Sequence, residues 1–227
     1  MTGRAVGGIA VPAYFHPATA PSSWERLIGS QLGNGFAIIN LADGPGSAPD
    51  NVVQDAARRL ATAGTSVLGY VDSGYGRRGI EVLIREFADY RRWYGVQGVF
   101  VDQALGEPAL LPHYRELVER LRSARADRVV LNYGVPPDES FAEVGDVLVT
   151  FEGPMSAYLQ ASQPRWTRRI GAHRQCHLVY GAPESATPAL LLKASRRGAG
   201  LVYVTACAGR NPWRDLAAWV PERDDRS

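Results

Sequence analysis

Two apolar stretches of the sequence each end in a carboxylate. The first occupies 98–101 and leads into Asp102, and the second occupies 147–151 and leads into Glu152. A buried strand does not need an acid at its end for packing, so both carboxylates are candidates for chemistry. Two facing carboxylates can hydrolyse a glycosidic bond, because one protonates the leaving oxygen while the other attacks the anomeric carbon or activates water. The pair therefore predicts a glycosidase site.

The elements that must position these acids follow a repeated order of short apolar strand, turn and amphipathic helix. Eight such units in 227 residues predict a (β/α)8 TIM barrel, an α/β fold, as a single domain over 1–221 with a charged flexible tail over 222–227. A doubly wound sheet is the alternative, but no Gly-x-Gly-x-x-Gly follows the first strand. The predicted strands are 8–15, 36–41, 66–71, 98–103, 129–132, 146–152, 177–180 and 201–205. The predicted helices lie near 24–28, 52–63, 80–94, 114–121, 139–144, 155–161, 187–197 and 216–219.

Side chains along a barrel strand alternate between the interior and the helix layer. A register that points Asp102 and Phe100 inward also points Glu152, Thr150 and Leu148 inward. Polar residues near the ends of the other strands would then collect at the same mouth, where barrel enzymes place their sites. The residues predicted to bind substrate there are Tyr14, His16, Asn40, Tyr70, Asp72, Asn132 and Tyr180, with Thr205 beside them.

A structural role competes with a functional role at each of these positions. A single acid at the end of a strand commonly caps a helix or anchors a loop, and Asp72 precedes a Ser-Gly turn that it could hold. Ser22 or Ser23 is predicted to cap the first helix, and Asp50 the second. Asp102 and Glu152 together, on alternate strands of one barrel, favour catalysis over two unrelated caps.

Composition narrows the classes of partner. The net charge is +2 and the arginines are scattered, so no nucleic-acid partner is predicted. Cys176 and Cys207 lie in predicted strands without metal-ligand spacing, and no metal or organic cofactor is expected.

No apolar run approaches the ~20 residues of a membrane span, so no membrane partner is expected. The chain as written is expected to be cytoplasmic, or secreted if a signal has been removed. The oligomeric state is not predicted.

Several ordered motifs resemble the spherulin-4 (spherulation-specific family 4) pattern from about residue 9 to residue 152, and more loosely to Trp213. They are Val11-Pro12-Ala13-Tyr14-Phe15, Ile39-Asn40 with Gly44-Pro45-Gly46, Val67-Leu68-Gly69-Tyr70-Val71, Tyr75-Gly76-Arg77-Arg78, Trp93-Tyr94 with Gly98-Val99-Phe100-Val101-Asp102, Val130-Leu131-Asn132 and Phe151-Glu152.

The resemblance implies a barrel glycoside hydrolase, because characterised fungal relatives cleave α-1,4-linked galactosamine or N-acetylgalactosamine polymers. It implies that Asp102 is the nucleophile or stabiliser and that Glu152 is the general acid/base. It also adds Tyr75 and Gln103 to the predicted substrate-binding residues. The expected partner is a carbohydrate or a small glycoside.

One residue departs from the family pattern. Well-studied members follow the Asp with a Glu, whereas this sequence has Gln103, which forms hydrogen bonds but does not titrate. Two alternative functions follow from the departures. A non-catalytic carbohydrate-binding barrel would keep the pocket and lose turnover. A small-molecule biosynthetic enzyme would reuse the barrel mouth, and the missing signal favours it because an extracellular polymer is out of reach of a cytoplasmic protein.

Overall fold

The computed structural model describes residues 6–223, and the eight strands of this part of the chain form a closed parallel barrel. Each strand pairs with the next along the sequence, and β8 closes the ring by pairing with β1. The predicted (β/α)8 barrel is confirmed. The strands are β1 (Gly8–Ala13), β2 (Phe36–Ile39), β3 (Val67–Asp72), β4 (Gly98–Asp102), β5 (Arg128–Asn132), β6 (Val147–Pro154), β7 (Gln175–Tyr180) and β8 (Leu201–Val204).

Helices cover the outside of the barrel. The α-helices of the described residues are α1 (Pro21–Ile28), α2 (Asn51–Thr62), α3 (Ile80–Tyr94), α4 (Leu111–Ser123), α5 (Met155–Gln160) and α6 (Thr187–Arg196). Short 3-10 turns occupy Pro108–Leu110, Glu139–Phe141, Arg165–Arg168, Ala172–Arg174 and Glu184–Ala186. The helix predicted at 139–144 is thus a single 3-10 turn.

The sequence explains where the longer helices begin, end and pack. Asp50 caps α2 as predicted, because its carboxylate accepts hydrogen bonds from the backbone N–H groups of Val52 and Val53. In α3, Leu83 and Phe87 lie four residues apart on one buried face. Gly95 ends that helix in the left-handed conformation, with φ of 66°.

Three local predictions are wrong, and in the first two cases side chains form hydrogen bonds that the sequence does not indicate. The region 216–219 is not a helix: the N–H of Leu216 donates to the Asp215 carboxylate and the N–H of Ala217 donates to the Tyr203 hydroxyl. Neither Ser22 nor Ser23 caps α1, since the helix starts at Pro21 and the Ser23 hydroxyl bonds to Asp215. Cys207 lies in the loop after β8, whereas Cys176 is buried in β7 as predicted.

The interior of the barrel is packed with buried side chains below its mouth. Residues paired in register on neighbouring parallel strands share a face, and Tyr70 pairs with Phe100 while Asp72 pairs with Asp102. The predicted inward orientation of Asp102 and Phe100 is confirmed. Buried side chains that fill the interior below the mouth include Phe36, Ile38, Leu68, Phe100, Val130, Leu178 and Tyr203.

A bulge in β6 determines where Glu152 points. Val149 pairs with Asn132 on one side and with Cys176 on the other, which puts Val149 on the interior face. The register then shifts between Val149 and Phe151, and Phe151 packs outward on Tyr158 of α5 at 4.6 Å between ring centres. Glu152 consequently returns to the interior.

The predicted inward orientation of Glu152 is therefore right, but that of Leu148 and Thr150 is wrong. Leu148 pairs with Leu131, which faces the helix layer, and the Thr150 hydroxyl lies 3.2 Å from the ring of His177, which contacts Tyr158 in the same layer. Simple alternation from Val149 would have turned the Glu152 carboxylate out of the barrel. The extra residue of the bulge delivers it to the mouth.

The predicted tail lies mostly outside the described residues. Its first two residues are described: Glu222 bridges to Ser30, and the N–H of Arg223 donates to the carbonyl of Gly29 at 2.7 Å. Residues 224–227 are not described, so the flexible tail stays a prediction. Among residues 6–223, no helix is both long and apolar enough to cross a membrane.

Candidate active site

A cavity of about 480 Å³ opens at the carboxyl ends of the strands. This volume suits a ligand of one or two sugar rings, since small-molecule sites typically measure ~300–1,000 Å³. The structure brings both predicted acids and four of the predicted binding residues to its wall: Asp102, Glu152, Tyr14, Asn40, Tyr70 and Tyr180. The loops contribute Leu41, Ala42, Asp43, Gly209, Arg210, Asn211, Pro212 and Trp213.

One amide connects the two carboxylates. Nδ2 of Asn132 donates to Oδ1 of Asp102 at 2.6 Å and to Oε2 of Glu152 at 2.5 Å. The amide is held in this orientation because its oxygen accepts the N–H of Gly134 at 3.1 Å. Oδ1 of Asp102 and Oε2 of Glu152 are therefore at most about 5 Å apart, a spacing that fits the ~5–5.5 Å between the carboxyl groups of retaining glycosidases.

Asp102 is a buried carboxylate surrounded by donors. Burial raises its pKa from the ordinary value, and the nearby charge of Asp72 acts in the same direction. Hydrogen bonds from the Tyr70 hydroxyl at 2.8 Å, the Gln103 backbone and Asn132 oppose this shift in part, so the pKa of Asp102 stays above its ordinary value. Burial and the Asp102 charge keep the pKa of Tyr70 far above its ordinary value, so Tyr70 remains a donor.

Glu152 accepts hydrogen bonds from fewer donors than Asp102 does. Burial and the negative charge of Asp102 raise the pKa of Glu152 to about 7, although hydrogen bonds from Asn132 and Trp213 lower it in part. A substantial fraction of Glu152 is therefore protonated near neutral pH. The three donors around Asp102 favour its ionised form, so the two acids suit different roles, one as proton donor and one as nucleophile.

The comparisons with known proteins identify the family. The sequence model of spherulation-specific family 4 matches residues 8–222. The chain belongs to this family. Spherulin-4 of Physarum polycephalum is 28% identical over 147 residues, which are 63% of this chain and 43% of that protein. The chain thus spans less than half the length of this curated relative.

Solved structures show the same barrel. Sph3 of Aspergillus clavatus, crystallised in complex with GalNAc, aligns over 96% of both chains with a TM-score of 0.82 and 23% identity. The chitinase RmChi1 of Rhizomucor miehei aligns over 93% of this chain and 98% of its own, with a TM-score of 0.55 and 10% identity. At these identities the likeness establishes the fold alone.

Five predicted binding residues of this spherulation-specific family 4 barrel lie outside the cavity wall: His16, Asp72, Tyr75, Gln103 and Asn132, the last of which bridges the two acids. His16 instead contacts Asp50, with its Nε2 3.1 Å from the carboxylate that caps α2. Asp72 accepts the N–H of Gly74 at 2.6 Å and the side-chain amide of Gln103 at 3.0 Å, so it holds a turn, as the structural interpretation expected. Tyr75 is exposed on that same turn.

Sequence reasoning missed the loop that follows β8. Asn211 donates to the carbonyl of Tyr14 at 2.9 Å and accepts the N–H of Trp213 at the same distance, which fixes the loop against β1. Trp213 bonds to Glu152, and Arg210 lines the cavity without a role in packing the core. Asp43, on the loop after β2, also lines the cavity.

The acids of this family member are not arranged as metal ligands. In the described part of the chain, no group of three or more His, Cys, Asp or Glu side chains could hold a metal ion. Asp102 and Glu152 instead share an amide donor, and the wall adds the hydroxyls of Tyr14, Tyr70 and Tyr180 and the amides of Asn40 and Asn211. This donor set suits the hydroxyl and amide groups of a sugar.

Proposed function

We propose that this chain is a glycoside hydrolase that cleaves an amino-sugar glycan of the α-1,4-linked galactosamine or N-acetylgalactosamine type. The observation that carries the proposal is the shared amide of Asn132, which holds Asp102 and Glu152 at most about 5 Å apart. Membership of spherulation-specific family 4 supports the assignment. The GalNAc bound to Sph3 supports the choice of sugar.

The first step of the proposed reaction forms a glycosyl-enzyme. The ionised Asp102 attacks the anomeric carbon as the bond to the leaving oxygen breaks, and protonated Glu152 gives its proton to that oxygen. Tyr70 and Asn132 orient the attacking carboxylate through their hydrogen bonds. Because Glu152 has a pKa of about 7, it can supply this proton near neutral pH.

The second step returns the enzyme to its starting state. Glu152, now ionised, takes a proton from water as the water oxygen attacks the anomeric carbon and displaces Asp102. Two displacements at one carbon retain the anomeric configuration of the sugar. No metal or redox partner is needed to balance either step.

A carbohydrate-binding barrel without turnover is the second candidate. Gln103 favours it, since its amide donates to Asp72 at the position where well-studied relatives carry a further acid. Such a protein would bind glycan in the same cavity and release no product.

The test is a reducing-end assay on partly deacetylated α-1,4-linked N-acetylgalactosamine polymer, with calorimetric binding of its oligomers measured in parallel. New reducing ends from the wild type and none from Glu152→Gln support hydrolysis. Binding by both proteins with no product from either supports the binding barrel. Neither binding nor product contradicts both candidates.

A further inference from the structure

The turn between β3 and α3 contains a run of three residues in the left-handed backbone region. Gly74, Tyr75 and Gly76 have φ values of 56°, 58° and 77°. Glycine adopts this region without strain, but a bulky aromatic residue rarely does. Strained residues of this kind persist where the surrounding structure fixes them, and they cluster at functional sites.

Backbone strain in this protein concentrates at the mouth of the barrel. Within residues 6–223, the non-glycine residues with positive φ are Asp43, Tyr75, Gln103 and Arg125. The first three lie in loops that follow the carboxyl ends of β2, β3 and β4. Arg125 alone lies elsewhere, just after α4.

Hydrogen bonds fix the strained turn to the residue that follows Asp102. The N–H of Tyr75 and the hydroxyl of Ser73 each donate to the carbonyl of Gln103 at 2.8 Å. Ser73 is fully buried and also contacts the Tyr114 hydroxyl at 3.1 Å. The position of Tyr75 is thereby coupled to the backbone of the residue that follows the proposed nucleophile.

The side chain that this turn presents is not used for packing. Tyr75 is 48% exposed, and it is the only aromatic among the exposed large hydrophobic residues of the described chain. The guanidinium carbon of Arg77 lies 5.7 Å from the ring centre and covers one side of the ring. Nearly half of the Tyr75 residue stays exposed and is accessible to a ligand.

We propose that Tyr75, supported by Arg77, forms an outer subsite that stacks on a sugar residue of the substrate beyond the one held in the cavity. The inference rests on the proposed function and deepens it, because it requires a substrate longer than the cavity. A glycan that leaves the cavity past Asp102 crosses the edge formed by β3 and β4, where Tyr75 lies. An aromatic face held rigidly in this position offers contact area to a sugar at little cost in side-chain entropy.

The turn itself provides a suitable variant. Tyr75→Asn removes the ring and places a residue that tolerates the left-handed region, so the fold is not put at risk. Tyr75→Phe keeps the ring. Leu192→Asn, at an exposed position of α6, controls for the loss of an exposed apolar side chain.

Each variant is assayed on the polymer and on an aryl glycoside of N-acetylgalactosamine, which does not extend beyond the cavity. We expect Tyr75→Asn to raise KM for the polymer about three- to tenfold with kcat unchanged, and to change neither constant for the aryl glycoside by more than about twofold. Tyr75→Phe and Leu192→Asn retain the wild-type KM for the polymer. Equal effects of Tyr75→Asn on both substrates, or no effect on either, would overturn the subsite.

A separate binding measurement distinguishes failure of the subsite from failure of the proposed function. Oligomers of N-acetylgalactosamine are titrated into Glu152→Gln with and without Tyr75→Asn. Weaker binding in the double variant supports the subsite even if the wild type lacks turnover. Unchanged binding overturns the subsite alone, and no binding by either protein overturns the subsite together with the proposed function.

Discussion

The side-chain amide of Asn132 donates to Glu152 at 2.5 Å, and its second hydrogen is directed to Asp102. Both acids therefore depend on one neutral residue for their spacing and for part of their charge stabilisation. Asn132 lies at the end of β5, the strand between those that carry the two acids, so the barrel itself sets this geometry. This relationship leads to the first prediction.

Asn132→Ala should lower kcat about a hundredfold, because both acids lose a donor that orients them. Its hydrogen bonds lower the pKa of both carboxyls, so both limbs of the pH profile of kcat/KM should move to higher pH. Asn40→Ala is the control for the loss of an amide side chain, because the Asn40 oxygen accepts the N–H of Gly44. Both limbs should stay in place in this variant. Limbs that stay in place in Asn132→Ala would contradict the shared-donor role.

The pKa of Glu152 predicts the alkaline limb of activity. Glu152 must be protonated to assist the leaving group, and its pKa is about 7, so kcat/KM on the polymer should fall as the pH rises through about 7. Glu152→Gln should still form the glycosyl-enzyme from an aryl glycoside whose phenolate leaves without a proton, and the alkaline limb of kcat/KM for this first step should vanish there. An alkaline limb that persists in Glu152→Gln would assign the proton donor to another residue.

Gln103 and Asp72 form a matched pair, which predicts the effect of restoring the acid found in relatives. Gln103→Glu should reduce the free energy of unfolding by about 1–2 kcal/mol at pH 7, because a carboxylate would replace the donor that faces Asp72. Urea denaturation measures this change. With Asp72→Asn added, the new amide can donate to the new carboxylate. The double variant should therefore recover most of the lost free energy of unfolding. Equal stability of wild type and Gln103→Glu would contradict the pairing.

The spacing of the acids predicts the stereochemical outcome. Oδ1 of Asp102 and Oε2 of Glu152 lie at most about 5 Å apart, a spacing that fits retaining glycosidases, so hydrolysis should retain the anomeric configuration. Proton NMR of the first product, recorded before mutarotation, distinguishes the two anomers. An inverted first product would exclude Asp102 as the nucleophile.

The barrel could be predicted from the sequence because its signals are local. The apolar runs that end in Asp102 and Glu152, and the helical spacing between such runs, directly encode strands and helices. The register was harder to predict. Simple alternation pointed Glu152 inward, but Glu152 reaches the interior through a bulge that the residues of β6 do not indicate.

The parts of the site that sequence reasoning missed depend on long-range contacts. Trp213 and Asn211 lie in a loop without periodicity, and they join the site only because Asn211 reaches the carbonyl of Tyr14 across the closure of the barrel. His16 was predicted to lie at the mouth because it follows β1, but its ring contacts the carboxylate of Asp50 instead. Pairings between residues 34 or 197 positions apart leave no pattern in a single sequence.

The most direct test of the account is turnover of the amino-sugar polymer by three proteins: the wild type, Asp102→Asn and Glu152→Gln. Both substitutions are close in shape to the native residues, and thermal unfolding would establish that each variant folds. The account predicts reducing ends from the wild type and a loss of about a thousandfold or more in each variant. Turnover that survives in both variants would contradict the central claim that these two carboxylates carry the reaction.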